Sequence, residues 1–177
     1  MLIEPMEVVS KPAFFGKDWM ALTAGTEDGF NSMTVAWGQL GTLWDRYDAK
    51  RQEVYPVATV YVRPQRYTRE FMDKEEFFTL SYFGKAQKKA LGYLGTHSGR
   101  VSDKVKEAGL TPVYAYGTVY FKEAEMVLVC RKLYSSVLKE EGFHDRRLIE
   151  RNYPEKDFHI MYAGEILRCI VKEDSDD

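Results

Sequence analysis

The sequence predicts a mainly β domain, a barrel or sandwich with a few short peripheral helices. Strand-like apolar runs recur along the chain, helical periodicity is confined to short stretches, and the alternation of strand and helix that marks a parallel α/β sheet is absent. A length of 177 residues suits one domain, expected to span 1–172, with the acidic tail 173–177 left solvated.

Taken in order, the first strands are expected at Trp19 to Thr23 and Met33 to Trp37, with Thr26, Glu27, Asp28 and Gly29 as the turn between them. Asp-Gly supplies the positive φ that a tight reversal uses, so this start reads as an antiparallel pair. The charged stretch 45–55 (Asp45 to Tyr55) has no periodicity and reads as an inserted exposed loop or lid. Val57 to Val62 is a buried strand that must stop by Pro64, because proline cannot donate to a ladder. Further strands are expected at Phe77 to Phe83, Val113 to Phe121, Met126 to Leu133, Phe158 to Ala163 and Glu165 to Val171. Four short helices fit between them. One is capped by Thr68 and runs to Asp73, and one covers Lys85 to Leu94 with Ala86, Ala90, Leu91 and Leu94 on its apolar face. Another opens at Ser102 and stops at Gly109, and the last occupies 143–152.

Composition removes several classes. With 45% hydrophobic and 29% charged residues the chain is neither disordered nor a disulfide scaffold, and a net charge of -2 gives no general field for nucleic acid or membrane. Cys130 and Cys169 sit in apolar runs without metal spacing, so both are expected buried and reduced, and with 3 His no metal centre is expected. No run approaches the roughly 20 apolar residues of a membrane span, and MLIEPMEVVSKP lacks a signal pattern, which makes a cytoplasmic location the expectation. The aromatic content is high, at 3 Trp, 12 Tyr and 10 Phe.

Chemistry concentrates in the run Asn31-Ser32-Met33-Thr34-Val35-Ala36-Trp37-Gly38 and in Arg63, Arg66, Tyr67 and Thr68. Two arginines and two hydroxyls at the start of a helix suit a phosphate monoester dianion. Asn31, Ser32 and Thr34 offer short polar groups, and Met33 and Trp37 a polarisable wall for a flat ring. The plainer alternative pairs Arg63 and Arg66 with Glu70, Glu75 or Glu76 and puts Met33 and Trp37 in the core. Neither GxGxxG nor GxxxxGK[ST] occurs, so a nicotinamide cofactor has no domain of its own. His97, in the Gly-rich GTHSGR, is either a proton donor or a structural group, while His144 and His159 read as structural. Ser98 beside His97 does not make a triad.

The blocks NSMTVAWGQLGTLW, PVATVYVRPQRYT, FFTLSYF and GTHSGRVSDKVKEAGLTP, in that order over roughly residues 15–115, resemble the flavin reductase-like, FMN-binding split β-barrel family, near its flavoredoxin-type branch. The resemblance implies a six-stranded split barrel and a homodimer holding FMN near the subunit interface. It implies that Asn31, Ser32, Met33, Thr34 and Trp37 line the isoalloxazine, flanked by Thr59 and Val60. Arg63, Arg66, Tyr67 and Thr68 would take the ribityl chain and phosphate, and Ser81 and Phe83 would lie on the neighbouring strand. His97, Ser98 and Lys104 would sit on the substrate side, with no residue assigned as catalytic. Val101 stands where this block of the family usually carries an acid, and 45–55 lengthens a loop near the expected ring. The activity implied is an NAD(P)H-dependent flavin reductase in which NADH or NADPH visits transiently and a small molecule or electron-transfer protein accepts the electrons. The alternatives are a flavoredoxin-like FMN electron carrier and a non-catalytic ligand-binding or interaction split barrel.

Overall fold

The computed structural model describes residues 2–5, 15–16, 18–47, 53–84 and 86–172; the acidic tail 173–177 and the middle of the charged stretch, 48–52, lie outside the described residues. In chain order the strands are β1 (Leu2–Ile3), β2 (Met20–Thr26), β3 (Gly29–Val35), β4 (Gly38–Asp45), β5 (Val54–Val62), β6 (Phe77–Tyr82), β7 (Pro112–Ala115), β8 (Thr118–Phe121), β9 (Met126–Val137) and β10 (Ile160–Val171). The helices are α1 (Thr68–Lys74), α2 (Lys88–Thr96), α3 (Lys104–Glu107) and α4 (Arg147–Asn152).

One antiparallel sheet runs β3-β2-β6-β9-β10-β5-β4, with β1 added to β10, and β7 and β8 form a separate hairpin. Seven strands therefore make the main path, one more than the resemblance implied. Its two ends, β3 and β4, are consecutive in the chain and joined only by Ala36 and Trp37. The sheet must curl until these ends meet, and Tyr61 of β5 donates its N–H to the Trp37 carbonyl at 3.3 Å across the junction. The result is a split barrel.

The period of two along a strand divides the core. On β9, Met126, Leu128 and Cys130 face the barrel interior with Leu22, Val60, Phe78, Leu80 and Tyr162. Val127 and Val129 face the other way, against Leu91 and Leu94 of α2, Val105 of α3 and Phe121 of β8. Cys130 and Cys169 are both buried, and burial with the neighbouring Cys169 pushes the Cys130 thiol up, so it is an inert core group.

Several expected boundaries shift for physical reasons. The strand β4 was not expected, because Gly38, Gln39, Gly41 and Thr42 show little apolar patterning. It pairs with β5 from Gly38↔Val60 to Asp45↔Val54, so Asp45, Val54 and Tyr55, at the two ends of the charged stretch, are strand residues. The run Val113 to Phe121 is two strands reversed at Tyr116 and Gly117, whose φ values of 56° and 71° suit a two-residue hairpin turn. At the first hairpin the left-handed glycine is Gly25, not Gly29. A Cβ at Gly25 would lie 2.4 Å from the Gly29 carbonyl, so only glycine permits this approach. The two final strands are one, β10, with a bulge at Ala163/Gly164. Gly164 is required there, since a Cβ would meet the Phe78 ring at 2.5 Å. The cap of α1 is Tyr67, and Thr68 is its first helical residue.

Candidate functional site

Two adjacent compartments of a cleft, sharing three lining residues, lie between β3, the end of β5, the start of α1 and the segment from Thr96 to Lys104. One compartment, about 240 Å³, is lined by Met33, Arg63, Gln65, Arg66, Tyr67, Thr68, Thr96, His97, Ser98 and Lys104. The other, about 200 Å³, is lined by Met33, Thr34, Val35, Ala36, Trp37, Tyr61, Arg63, Arg66 and His159. Met33, Arg63 and Arg66 border both.

The first compartment is cationic. The ammonium of Lys104, on a residue only 4% exposed, donates to the carbonyls of Leu94 (3.1 Å) and His97 (3.0 Å) at the end of α2. Arg66 donates to the Gly95 carbonyl at 2.9 Å. Neither cation has a carboxylate partner among the described residues. Burial, with the Arg66 charge adding to it, pushes the Lys104 amine down to about 8. Two adjacent cations held by backbone carbonyls alone form a site short of negative charge, the chemistry a phosphate dianion supplies. Arg63 is differently placed. It pairs with Asp157 at 2.5 Å, donates to the Asn152 carbonyl at 2.6 Å and lies over the Tyr153 ring, so it anchors the segment after α4. Two of the three glutamates expected as partners of Arg63 and Arg66 pair elsewhere: Glu70 holds Arg100, and Glu75 pairs with Lys74.

The second compartment is mixed in character, with aromatic rings beside the two arginines. Trp37, 46% exposed, packs on His159 with ring centroids 4.8 Å apart and the planes tilted by 35°, and Met33 and Tyr61 lie alongside. Trp19 lies apart, with Lys88 over its ring and its side against the outer core.

The remaining expected residues divide by strand parity. Asn31 is buried and donates to the Thr68 hydroxyl at 2.6 Å, tying β3 to α1 behind the cationic compartment. Ser32 points away, with its hydroxyl donating to the Leu22 carbonyl and accepting from Thr23. The Thr34 hydroxyl donates to the Leu91 carbonyl, leaving its methyl side on the cleft. Thr59, Val60, Ser81 and Phe83 line neither compartment. Val60 and Ser81 are fully buried, and Phe83 packs on Phe121. On β5 the residue that lines the cleft is Tyr61, one position beyond Val60, whose side chain points to the opposite face of the strand.

His97 is exposed, stacks on Tyr93 at 3.7 Å and keeps its Nδ1 3.1 Å from the Tyr93 carbonyl. Ser98 accepts from the Arg100 N–H at 3.3 Å. Val101 is 87% exposed, so the missing acid falls at a solvated position. Gly99 lies so close to Asn31 that a Cβ would stand 2.1 Å from its Oδ1. Gly99→Ala is therefore expected to break the Asn31–Thr68 bond or displace the loop, with a loss of about 1–3 kcal/mol visible as a lower Tm. Sequence reasoning missed Gln65, Thr96, Tyr61 and His159. Among the described residues no group of His, Cys, Asp and Glu is arranged to hold a metal, and no helix is long and apolar enough to cross a membrane.

A model of the flavin reductase like domain matches residues 55–177. No curated protein matches the chain. Among solved structures, the chain is similar to an FMN-binding protein from Thermus thermophilus with bound 1-cyclohex-2-enone, at 20% identity and a TM-score of 0.64, covering 94% of this chain and 79% of that one. It is also similar to an FMN-binding domain of a flavin reductase-like enzyme from Shewanella baltica, at 15% identity and a TM-score of 0.66, with 96% and 75% covered. Flavoredoxin of Desulfovibrio vulgaris (Miyazaki F) gives 20% identity and a TM-score of 0.64, with 93% and 75% covered. At these identities the likeness is one of fold.

Proposed function

The chain belongs to the flavin reductase like domain family, and on that premise we propose that it binds FMN and acts as an NAD(P)H-dependent flavin reductase. One observation carries the reading: a pocket holding two cations without carboxylate partners among the described residues, Arg66 and Lys104, adjoins a second pocket lined by Met33, Trp37 and Tyr61, with Met33, Arg63 and Arg66 bordering both. A molecule with a dianionic phosphate at one end and a planar aromatic ring at the other matches both halves. The FMN-binding neighbours in the same fold support the choice of flavin.

When bound, FMN would supply the two-electron chemistry, accepting hydride and releasing electrons to an acceptor. The protein's own residues bind and orient. Arg66 and Lys104 hold the phosphate, while Tyr67 and Thr68 flank the linking chain. Asn31 keeps Thr68 in place, and Arg63, engaged by Asp157, holds the wall behind the ring. Met33, Trp37 and Tyr61 exclude water from one side of the ring. The 46% exposure of Trp37 leaves that end accessible for a transient nicotinamide, which fits a chain without a dinucleotide-binding motif.

Purified protein is expected to take up FMN and turn yellow. Under anaerobic conditions NADH or NADPH alone is expected to bleach the flavin absorbance within the mixing time of a catalytic turnover. Bleaching only after a second protein is added would favour an electron carrier, and failure to take up FMN would sink both readings.

A further inference from the structure

His159 has one ring nitrogen engaged and one open to the cleft. Its Nδ1 lies 2.8 Å from the Tyr153 hydroxyl. A phenol is the better donor and a bare imidazole nitrogen the better acceptor, so the Tyr153 hydroxyl proton is directed at Nδ1. The ring proton then belongs on Nε2. No hydrogen-bond partner for Nε2 exists among the described residues, and Nε2 is not among the atoms sealed from solvent. Since His159 is otherwise buried and lines the ring compartment beside Trp37, this free N–H opens into that compartment.

The charge state agrees. Burial first, then the Arg63 and Arg66 charges, push the imidazole down to about 4 against the opposing pull of Asp157, so it is neutral at ordinary pH. An occupant that displaces solvent from this N–H must bring an acceptor in its place, because a bond left unmade there is costly.

We propose that His159 is a binding residue of the cleft, a neutral imidazole whose Nε2–H donates to a carbonyl oxygen or ring nitrogen on the polar edge of the bound isoalloxazine. This rests on the FMN reading given above. The Tyr153 hydroxyl fixes the tautomer, the Trp37 ring fixes the plane, and Arg63 disfavours a second proton. Such a bond strengthens as negative charge grows on the ring, so it raises the flavin midpoint potential.

The test uses the whole chain. Nitrogen-15 NMR of His159 in the free protein is expected to show Nε2 protonated and Nδ1 bare, and FMN addition is expected to shift the Nε2 resonance. His159→Phe keeps an aromatic ring against Trp37 and removes both nitrogens. It is expected to weaken FMN binding roughly tenfold, read by quenching of flavin fluorescence, and to make the midpoint potential more negative. If the variant does not fold, the wild-type NMR measurement still decides. A proton on Nδ1, an Nε2 resonance unmoved by bound FMN, or a folded variant with unchanged affinity and potential overturns the proposal. No FMN uptake by the wild-type protein instead sinks the functional reading itself.

Discussion

Replacing Arg66 with Ala and Lys104 with Met together is expected to weaken FMN binding by roughly a hundredfold or more. Each charge-assisted contact to a phosphate contributes about 1.5–3 kcal/mol, and every 1.4 kcal/mol is about tenfold. Fluorescence titration of the folded apoprotein measures the loss. The same change is expected to leave thermal stability equal or higher, because burial and the Arg66 charge disfavour the Lys104 ammonium in the free protein. Arg63→Ala is expected to behave in the opposite way: its guanidinium is engaged by Asp157 and Asn152, so the loss falls on Tm more than on affinity. The pH dependence has a definite sign. The Lys104 pKa in the free protein is lowered to about 8, and a bound dianion raises it again. Below pH 8 the ammonium is present in both states and affinity is flat. Above it, binding must take up a proton, so affinity falls towards tenfold per pH unit until the bound-state pKa is passed. In the Lys104→Met variant that fall should vanish.

Phe78→Ala is expected to cost about 3–5 kcal/mol, a drop in Tm on the order of 10 °C by calorimetry. Phe78 is 1% exposed on β6, which is paired on both sides by β2 and β9, and its ring fills the space over Gly164 that any Cβ would occupy. Removing it empties the barrel interior where β6, β9 and β10 are held together, and Gly164 has no side chain with which to refill it. A loss under 1 kcal/mol would mean that the interior collapses around the gap.

The cleft was partly legible in the sequence. Arg66, Tyr67, Thr68, Met33 and Trp37 announce themselves because they are the wrong residues for the places where they stand: cations directly after a buried strand, and a tryptophan at a strand end. The fold class followed from patterns of period two. What the sequence hid depends on parity and on distance along the chain. Val60 was expected at the cleft and Tyr61 was not, because nothing local says which parity of this strand faces the cleft and which the barrel interior. His159 lies more than a hundred residues from Trp37, and no local signal marks their stacking. Arg63 reads as a second phosphate ligand because Asp157, its partner, is equally remote. The strand Gly38–Asp45 was hidden for a different reason: an edge strand with largely exposed side chains has no need of apolar alternation.

The order of strands also governs how the molecule can come together. The neighbour of β6 is β9, and the neighbour of β5 is β10, so the middle of the sheet is supplied by the last strands of the chain. A growing polypeptide that has reached only residue 125 holds β3-β2-β6 and β4-β5 as two ribbons linked through Ala36 and Trp37, with the edges of β6 and β5 still open. Sheet closure, and with it the meeting of Trp37 and His159, is then an event of late synthesis, governed by contacts distant in sequence.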